Sequence, residues 1–224
     1  NWGGSFGISP YSSTGYTIVN SNIIDGDTIS QKINEGGGTV SKFHVGAAYK
    51  QKIGTSALVS LGFNFNVLFG ANEKIQSFEY YGYPDLALHS RVVDKTRLKG
   101  FNYDIGLIYE QKFKRNSFSF GATYSPAALL NANQDVLSFA YSESYYGNFS
   151  YNLGISDTVE YVSDNAGKIN IPDAFKVGLE YRIYGDPEKG QSYLLKLSTD
   201  VKIQSWSNYY EEFNGNKTEN IYKD

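Results

Sequence analysis

Two runs near the end of the chain set a charge at every second position: Lys176, Glu180 and Arg182 in one, Lys196, Asp200 and Lys202 in the next. Residues two apart on an extended strand point the same way, so each run aims its charges to one side. Opposite signs on neighbouring strands would pair there, filling and stiffening a water-lined interior or forming a polar conduit or headgroup site. Asp25 and Asp27 offer two carboxylates around Gly26. Calcium takes six or more oxygens, so this pair reads as a solvated turn, and no metal is expected. The only histidines are His44 and His89, and no Cys is present. A hydrolytic site needs a Ser and a His brought together, whereas His44 stands between Lys42 and Gly46 on the charged side of its strand. No catalytic residue and no cofactor are therefore expected. Phe78, Tyr80, Tyr81 and Tyr83 make a ring-rich stretch suited to an apolar ligand or, equally, to a partner protein.

The elements that must position these residues are strands. Between 41 and 69 the sequence alternates strictly in two runs joined by a polar turn at 51–55: Phe43, Val45, Ala47 and Tyr49, then Ala57, Val59, Leu61, Phe63, Phe65, Val67 and Phe69. Their alternate neighbours are polar or small, among them Ser60, Gly62, Asn64 and Asn66. The second run covers about 13 residues, roughly 40 Å, where a soluble strand needs about 5 to 6 residues and a tilted transmembrane strand about 9 to 11. The pattern predicts an apolar face to lipid and a polar face to a lumen. It returns at Phe101, Tyr103, Ile105, Leu107 and Tyr109, at Phe118, Phe120, Ala122 and Tyr124, at Phe175 to Ile183, and in the last run from 193 to 203. Lys or Arg at the bilayer midplane costs about 2 to 4 kcal/mol, so the intervening charges face inward.

Composition agrees with this reading. The chain has 224 residues with 20 Tyr, 14 Phe and 23 Gly, a mixture that suits twisted antiparallel strands with interfacial rings. No run of 18 uncharged apolar residues occurs, which excludes a transmembrane helix. Without Cys there are no disulfides or thiolate metal sites. Without Met at position 1, the sequence is expected to be part of a longer translation product whose export signal lies elsewhere. A net charge of −3 makes no case for nucleic acid.

Seven crossings are predicted, at 2–20, 39–50, 56–70, 100–111, 117–125, 174–184 and 192–205. Short connections alternate with long ones, the asymmetry of outer-membrane barrels. Tyr49, Tyr109, Phe113, Phe118, Tyr181 and Tyr193 would form an aromatic girdle beside the short turns. Phe43, Phe69, Phe101, Tyr124 and Phe175 would lie near the other rim. Residues 21–37, 70–100 and 126–172 read as excursions, with strand extensions in the last. Pro10 must interrupt its ladder, because proline donates no hydrogen bond. Seven antiparallel strands begin and end pointing the same way and cannot close antiparallel on themselves. The expectation is one β-barrel domain over 1–224, incomplete at both ends.

Several segments in order carry a resemblance: 6–16 (Phe-Gly-Ile-Ser-Pro-Tyr-Ser-Ser-Thr-Gly-Tyr), 36–43 with Gly46, 65–70, 167–172 with 177–181, and 200–207 (Asp-Val-Lys-Ile-Gln-Ser-Trp-Ser). Together they resemble the FadL/TodX family of outer-membrane hydrophobic-compound transporters, 14-stranded antiparallel barrels, of which this chain would be about half. The resemblance implies passive uptake of hydrophobic compounds such as long-chain fatty acids, a hatch in the lumen, and lateral exit at a kinked wall, with Pro10 as the kink. Leu58, Leu68 and Ile108 are apolar on the inward face, and are expected either to line the ligand path or to pack against such a plug. The partners implied are membrane lipid, a hydrophobic small molecule and other outer-membrane proteins, in a bacterial outer membrane. A second reading, from another class, is a structural barrel subunit of an outer-membrane secretion or assembly machine. Stoichiometric partners would favour the second, and a lipid-filled lumen the first.

Overall fold

The computed structural model describes residues 1–81, 88–146, 149–185 and 194–219, with backbone alone at 143–146 and 149–156. Eleven strands follow in order: β1 (Trp2–Ile24), β2 (Asp27–Ile53), β3 (Ala57–Tyr80), β4 (His89–Lys112), β5 (Asn116–Ser125), β6 (Ala128–Tyr146), β7 (Phe149–Ile171), β8 (Ala174–Ile183), β9 (Leu195–Gln204), β10 (Tyr210–Phe213) and β11 (Asn216–Glu219). A 3-10 turn at Trp206–Asn208 is the only helical segment among the described residues, so nothing described is a helix able to cross a membrane. Every pairing is antiparallel, and all strands belong to one sheet. The sheet is open, with β1 at one border and β9 and β11 at the other. The all-β antiparallel architecture expected from the sequence is thus present, as an open sheet.

The strands line up into seven long runs. β5 and β6 both flank β4, with Tyr124 opposite Ile105 and Asn131 opposite Lys99, so they are two lengths of one run broken at Pro126. β7 and β8 continue one another past Pro172, with Ile171 opposite Ala128 and Ala174 opposite Ser125. β9 and β10 are separated by the 3-10 turn and pair with β8 and β7 in turn. The stretches 21–37, 70–100 and 126–172 are therefore largely strand, where excursions were expected. Their side chains lack an apolar alternation, but their backbone groups still need partners, and continuing the ladder supplies them. Tight turns return the chain: Asp25 and Gly26 at φ 52° and 91°, and Asn214 and Gly215 at φ 51° and 77°, both of the type that the right-handed twist of paired strands favours.

At one level nearly every run is irregular. Between Pro10 and Ser12 the β1–β2 register slips by one residue. Gly38 on β2 has φ 130°, and a Cβ there would collide with the backbone of Ala71 and Asn72 on β3. Gly100 on β4 faces Leu130, and Pro126, Pro172 and the 3-10 turn interrupt the remaining runs. At this waist lies the main apolar cluster: Leu68, Leu130 and Ala128, with Leu98 and Ile171 packed against them. Leu68 and Leu130 are 0% and 1% exposed. Truncating Leu68 to Ala should therefore destabilise the sheet by about 2–5 kcal/mol, read as a lower denaturant midpoint of the detergent-folded protein.

Candidate functional site

Below the waist the two sides of the sheet differ in chemistry. Along β3, Phe63, Phe65 and Phe69 are 47%, 44% and 42% exposed, while Asn66 and Leu68 between them are 1% and 0%. The wall therefore curls toward its polar side. Register carries the apolar side across all runs: Phe6 faces Val45, Val45 faces Phe65, Phe63 faces Ile105, Ile105 faces Tyr124, Tyr124 faces Phe175, and Phe175 faces Ile203. Phe63 stacks on Tyr103 and Phe65 on Phe101, each with ring centroids 5.8 Å apart. No second layer covers these residues among the described ones. At the short-turn end Trp2 and Tyr49 are 4.8 Å apart, and the Tyr49 and Tyr109 hydroxyls donate to Gln51 and Gln111 at 2.6 and 2.8 Å. Rings stay in the apolar belt while hydroxyls reach the polar edge. Phe113, Phe118 and Tyr181 are exposed at the same end; Tyr193 lies outside the described residues. Towards the waist the belt stops at Phe101, and the next residues on its side of β4 are Lys99, Arg97 and Lys95. Arg97 pairs with Asp135 at 2.8 Å and Asp164 at 3.1 Å.

The opposite side collects the charges. By strict alternation it carries Lys42, Lys50 and Lys52 on β2, Asp104, Glu110 and Lys112 on β4, Lys176, Glu180 and Arg182 on β8, and Lys196, Asp200 and Lys202 on β9. That is eight cations and four carboxylates, in a chain whose net charge is −3. The carboxylates are shared. Glu180 takes both Arg182 and, at 2.8 Å, Lys196; Glu110 takes Lys112 at 3.7 Å and Lys50 at 3.9 Å. Asp104 is held by hydrogen bonds, accepting from Ser125 Oγ at 2.5 Å and Asn66 Nδ2 at 2.9 Å. Asn66 Nδ2 also donates to Asn102 Oδ1 at 2.9 Å, which leaves Asn66 Oδ1 buried without a donor.

Two hollows open on this side. The larger, about 630 Å³, has a floor of small residues, Ala48, Gly62, Gly106, Gly121 and Gly178, and is flanked by Ile108, Lys176, Asp200 and Lys202. The smaller, about 100 Å³, lies just under the waist between Tyr11, Lys42, Asn66, Asp104, Lys176 and Lys202. Of the three apolar residues expected inside, Leu68 is sealed into the waist, Ile108 is 53% exposed in the larger hollow, and Leu58 is half-buried by the turn. The structure does not gather them into one path. Pro10 sits on the border strand at the register slip.

Above the waist a polar network occupies the residues beside the expected aromatic patch. Arg91 donates to Ser77 Oγ at 2.9 Å and to the Tyr141 hydroxyl at 3.4 Å, and lies 3.9 Å from Glu79. Tyr81 donates to Glu79 at 2.7 Å, and the Tyr80 amide to His89 Nδ1 at 3.1 Å. Phe78 and Tyr80 meet edge to face at 4.8 Å. Tyr81 is thus committed to the network rather than to the Phe78–Tyr80 pair, and Tyr83 lies outside the described residues. This network and the Asn66–Asn102–Asp104 cluster were not singled out from the sequence; alternation places each member on a side, but the cross-strand register that joins them is a property of the fold. Farther along, Lys217 pairs with Glu219 and lies 4.1 Å from the Tyr210 ring. The hydrogen bond to Glu219 holds its ammonium above the usual lysine range.

Compared with known families, residues 1–224 match the model of BamG. The chain belongs to the BamG family. This is an outer-membrane assembly-related family, and membership carries an association with the outer membrane. No curated protein and no solved structure matches the chain. The FadL/TodX resemblance is thereby corrected: the whole-length match is to BamG. Uptake of fatty acids and other hydrophobic compounds, with lateral exit at Pro10, falls with it. The segments that suggested that family are short glycine- and aromatic-rich strand pieces. Any long antiparallel wall of this composition needs such pieces at its turns, waist and apolar belt.

Proposed function

We propose that this BamG-family chain is a structural subunit of an outer-membrane assembly complex. It crosses the bilayer with the lower parts of its seven runs and docks partner proteins on the strands above the waist. The family match along the full chain is the single observation that carries this reading. The apolar belt supports it. On β4 the belt runs from Phe101 to Tyr109, nine residues, or about 30 Å along a strand, enough for a tilted strand to span the apolar band of an outer membrane, about 25 Å tall. Strands that continue well past this belt are more than crossing requires. Antiparallel runs of 19 to 27 residues, with ion pairs such as Arg97–Asp135 on their flanks, give rigid surfaces for contacts with other outer-membrane proteins. At the waist Leu68 and Leu130 pack together with Ala128, Leu98 and Ile171 instead of lining a path for an apolar ligand.

Gentle solubilisation of outer membranes and pull-down on the tagged full-length protein tests this. Stoichiometric outer-membrane partners are expected, with no enrichment of apolar ligand. Recovery of the protein alone, with hydrophobic molecules bound in its interior, would overturn it.

A further inference from the structure

We infer that the outer side of the waist carries a seat for the phosphorylated sugar headgroup of an outer-leaflet glycolipid, held by Lys99, Lys168 and the amides beside them. This rests on the reading above that the apolar belt lies in the bilayer. Cross-strand register sets Lys99, Asn131, Lys168, Glu212 and Lys217 in one row, each opposite the next. The row stands immediately past the end of the belt. Two residues toward the belt from Lys99 and Asn131, and on the same side, are Phe101 and Leu129, 67% and 48% exposed. The strands run farther past the belt at this end than at the short-turn end, which makes it the cell-surface end of an outer-membrane wall. The leaflet there is built of phosphorylated glycolipid.

Lysines at the edge of an apolar belt reach to water by themselves, but the groups around these two add a recognition surface. No carboxylate comes within ion-pair distance of Lys99 or Lys168 among the described residues, whereas the cations near them are paired: Lys217 with Glu219, Arg97 with Asp135 and Asp164, and Lys95 with Glu73. Glu212 stands opposite both Lys168 and Lys217 without an ion pair to either. Lys168 and Glu212 border a recess of about 330 Å³, whose other polar side chains are Asn131, Asn133 and Asn214. Side-chain amides donate and accept, and a carboxylate accepts, which is the complement that sugar hydroxyls require. Free phosphate would suit the lysines but would be repelled by Glu212 and leave the amides unused; a phosphorylated sugar uses both sets. Lys99 and Lys168 lie two strand spacings apart, about 10 Å, and their flexible stems can close on one phosphate. Phe101 and Leu129 below them offer apolar surface to the acyl chains.

The test places the intact full-length protein in nanodiscs of neutral lipid containing lipid A, phosphatidylglycerol or, in the buffer, inorganic phosphate. Lysine acetylation is read by peptide mass spectrometry, and retained lipid by native mass spectrometry. Lipid A is expected to shield Lys99 and Lys168 and to stay bound, with less shielding by phosphatidylglycerol and none by inorganic phosphate. The Lys99→Gln, Lys168→Gln double variant should hold lipid A about tenfold or more less tightly, the loss of a charge-assisted hydrogen bond. Asn131→Leu, Asn133→Leu should erase the preference for lipid A over phosphatidylglycerol. Equal shielding by phosphatidylglycerol or by inorganic phosphate would overturn the inference, as would two lysines equally reactive in all three. Photolabelling from the bilayer interior separates the readings: if Phe63 and Phe65 stay unlabelled, the membrane placement itself fails; if they are labelled while both lysines react freely, only this inference fails. Pull-downs without partners, with the shielding intact, would fail only the subunit reading.

Discussion

Phe63→Arg should abolish accumulation of the protein in the outer membrane, while Ser60→Arg should leave it near the level of the unchanged protein. Phe63 sits mid-belt on β3, 47% exposed and stacked on Tyr103. With the belt in the bilayer, as proposed, a guanidinium there meets hydrocarbon, at about 2–4 kcal/mol near the midplane, and the ring contact is lost as well. Against a total stability of about 5–15 kcal/mol for a domain, that is enough to divert most of the chain to degradation. Ser60 is three residues away but points to the opposite side, over the glycine-floored hollow, where a longer cation reaches water. Immunoblots of fractionated membranes, with heat-modifiable mobility as the folding readout, distinguish the two. Equal loss from both would mean that the sides are not lipid and interior; equal tolerance would mean that the belt does not meet a bilayer.

Gly38→Val is expected to prevent folding altogether, with Gly37→Val as its control. At Gly38 the backbone has φ 130°, a region L-residues rarely adopt, and an added Cβ would strike the main chain of Ala71 and Asn72. Backbone cannot swing aside as a flexible side chain can, so β2 and β3 would have to part at the waist. The strained conformation costs about 1–3 kcal/mol, and the broken ladder and the disturbed packing around Leu68 add to it. Gly37, one residue away, has open space where its Cβ would stand. Refolding into detergent, followed by the electrophoretic shift of folded β-sheet, measures both. A Gly38 variant that folds with an unchanged denaturant midpoint would show that β2 does not cross β3 this closely.

The lower half of the sheet was legible because its two sides differ sharply in polarity, which imposes a period of two. Val59, Leu61, Phe63, Phe65 and Val67 alternate with polar or small residues, and a strand has only two sides. All-β class, antiparallel order and the seven runs follow from that rule together with short turns. The upper half was not legible as strand. Around 27–37 and 128–140 no strict apolar period marks the first part of β2 or β6, and the ladder of paired backbone groups holds them extended. Pro10, Pro126 and Pro172 are plain in the sequence as breaks, but their alignment at one level with Gly38 and Gly100 is not, since it depends on register.

What the amino-acid order determined by itself was local: which positions share a side of each strand, where the chain must turn, and that charges such as Lys176 and Lys202 stand away from Phe175 and Ile203. Tertiary structure alone decided which of these sides meet. It set Lys176 opposite Lys202, joined Asn66 to Asp104 across 38 residues of sequence, and brought Leu68 against Leu130. The physical reason is that side-chain direction is set by backbone geometry one residue at a time, whereas neighbours in a sheet are chosen by register between strands far apart in the chain.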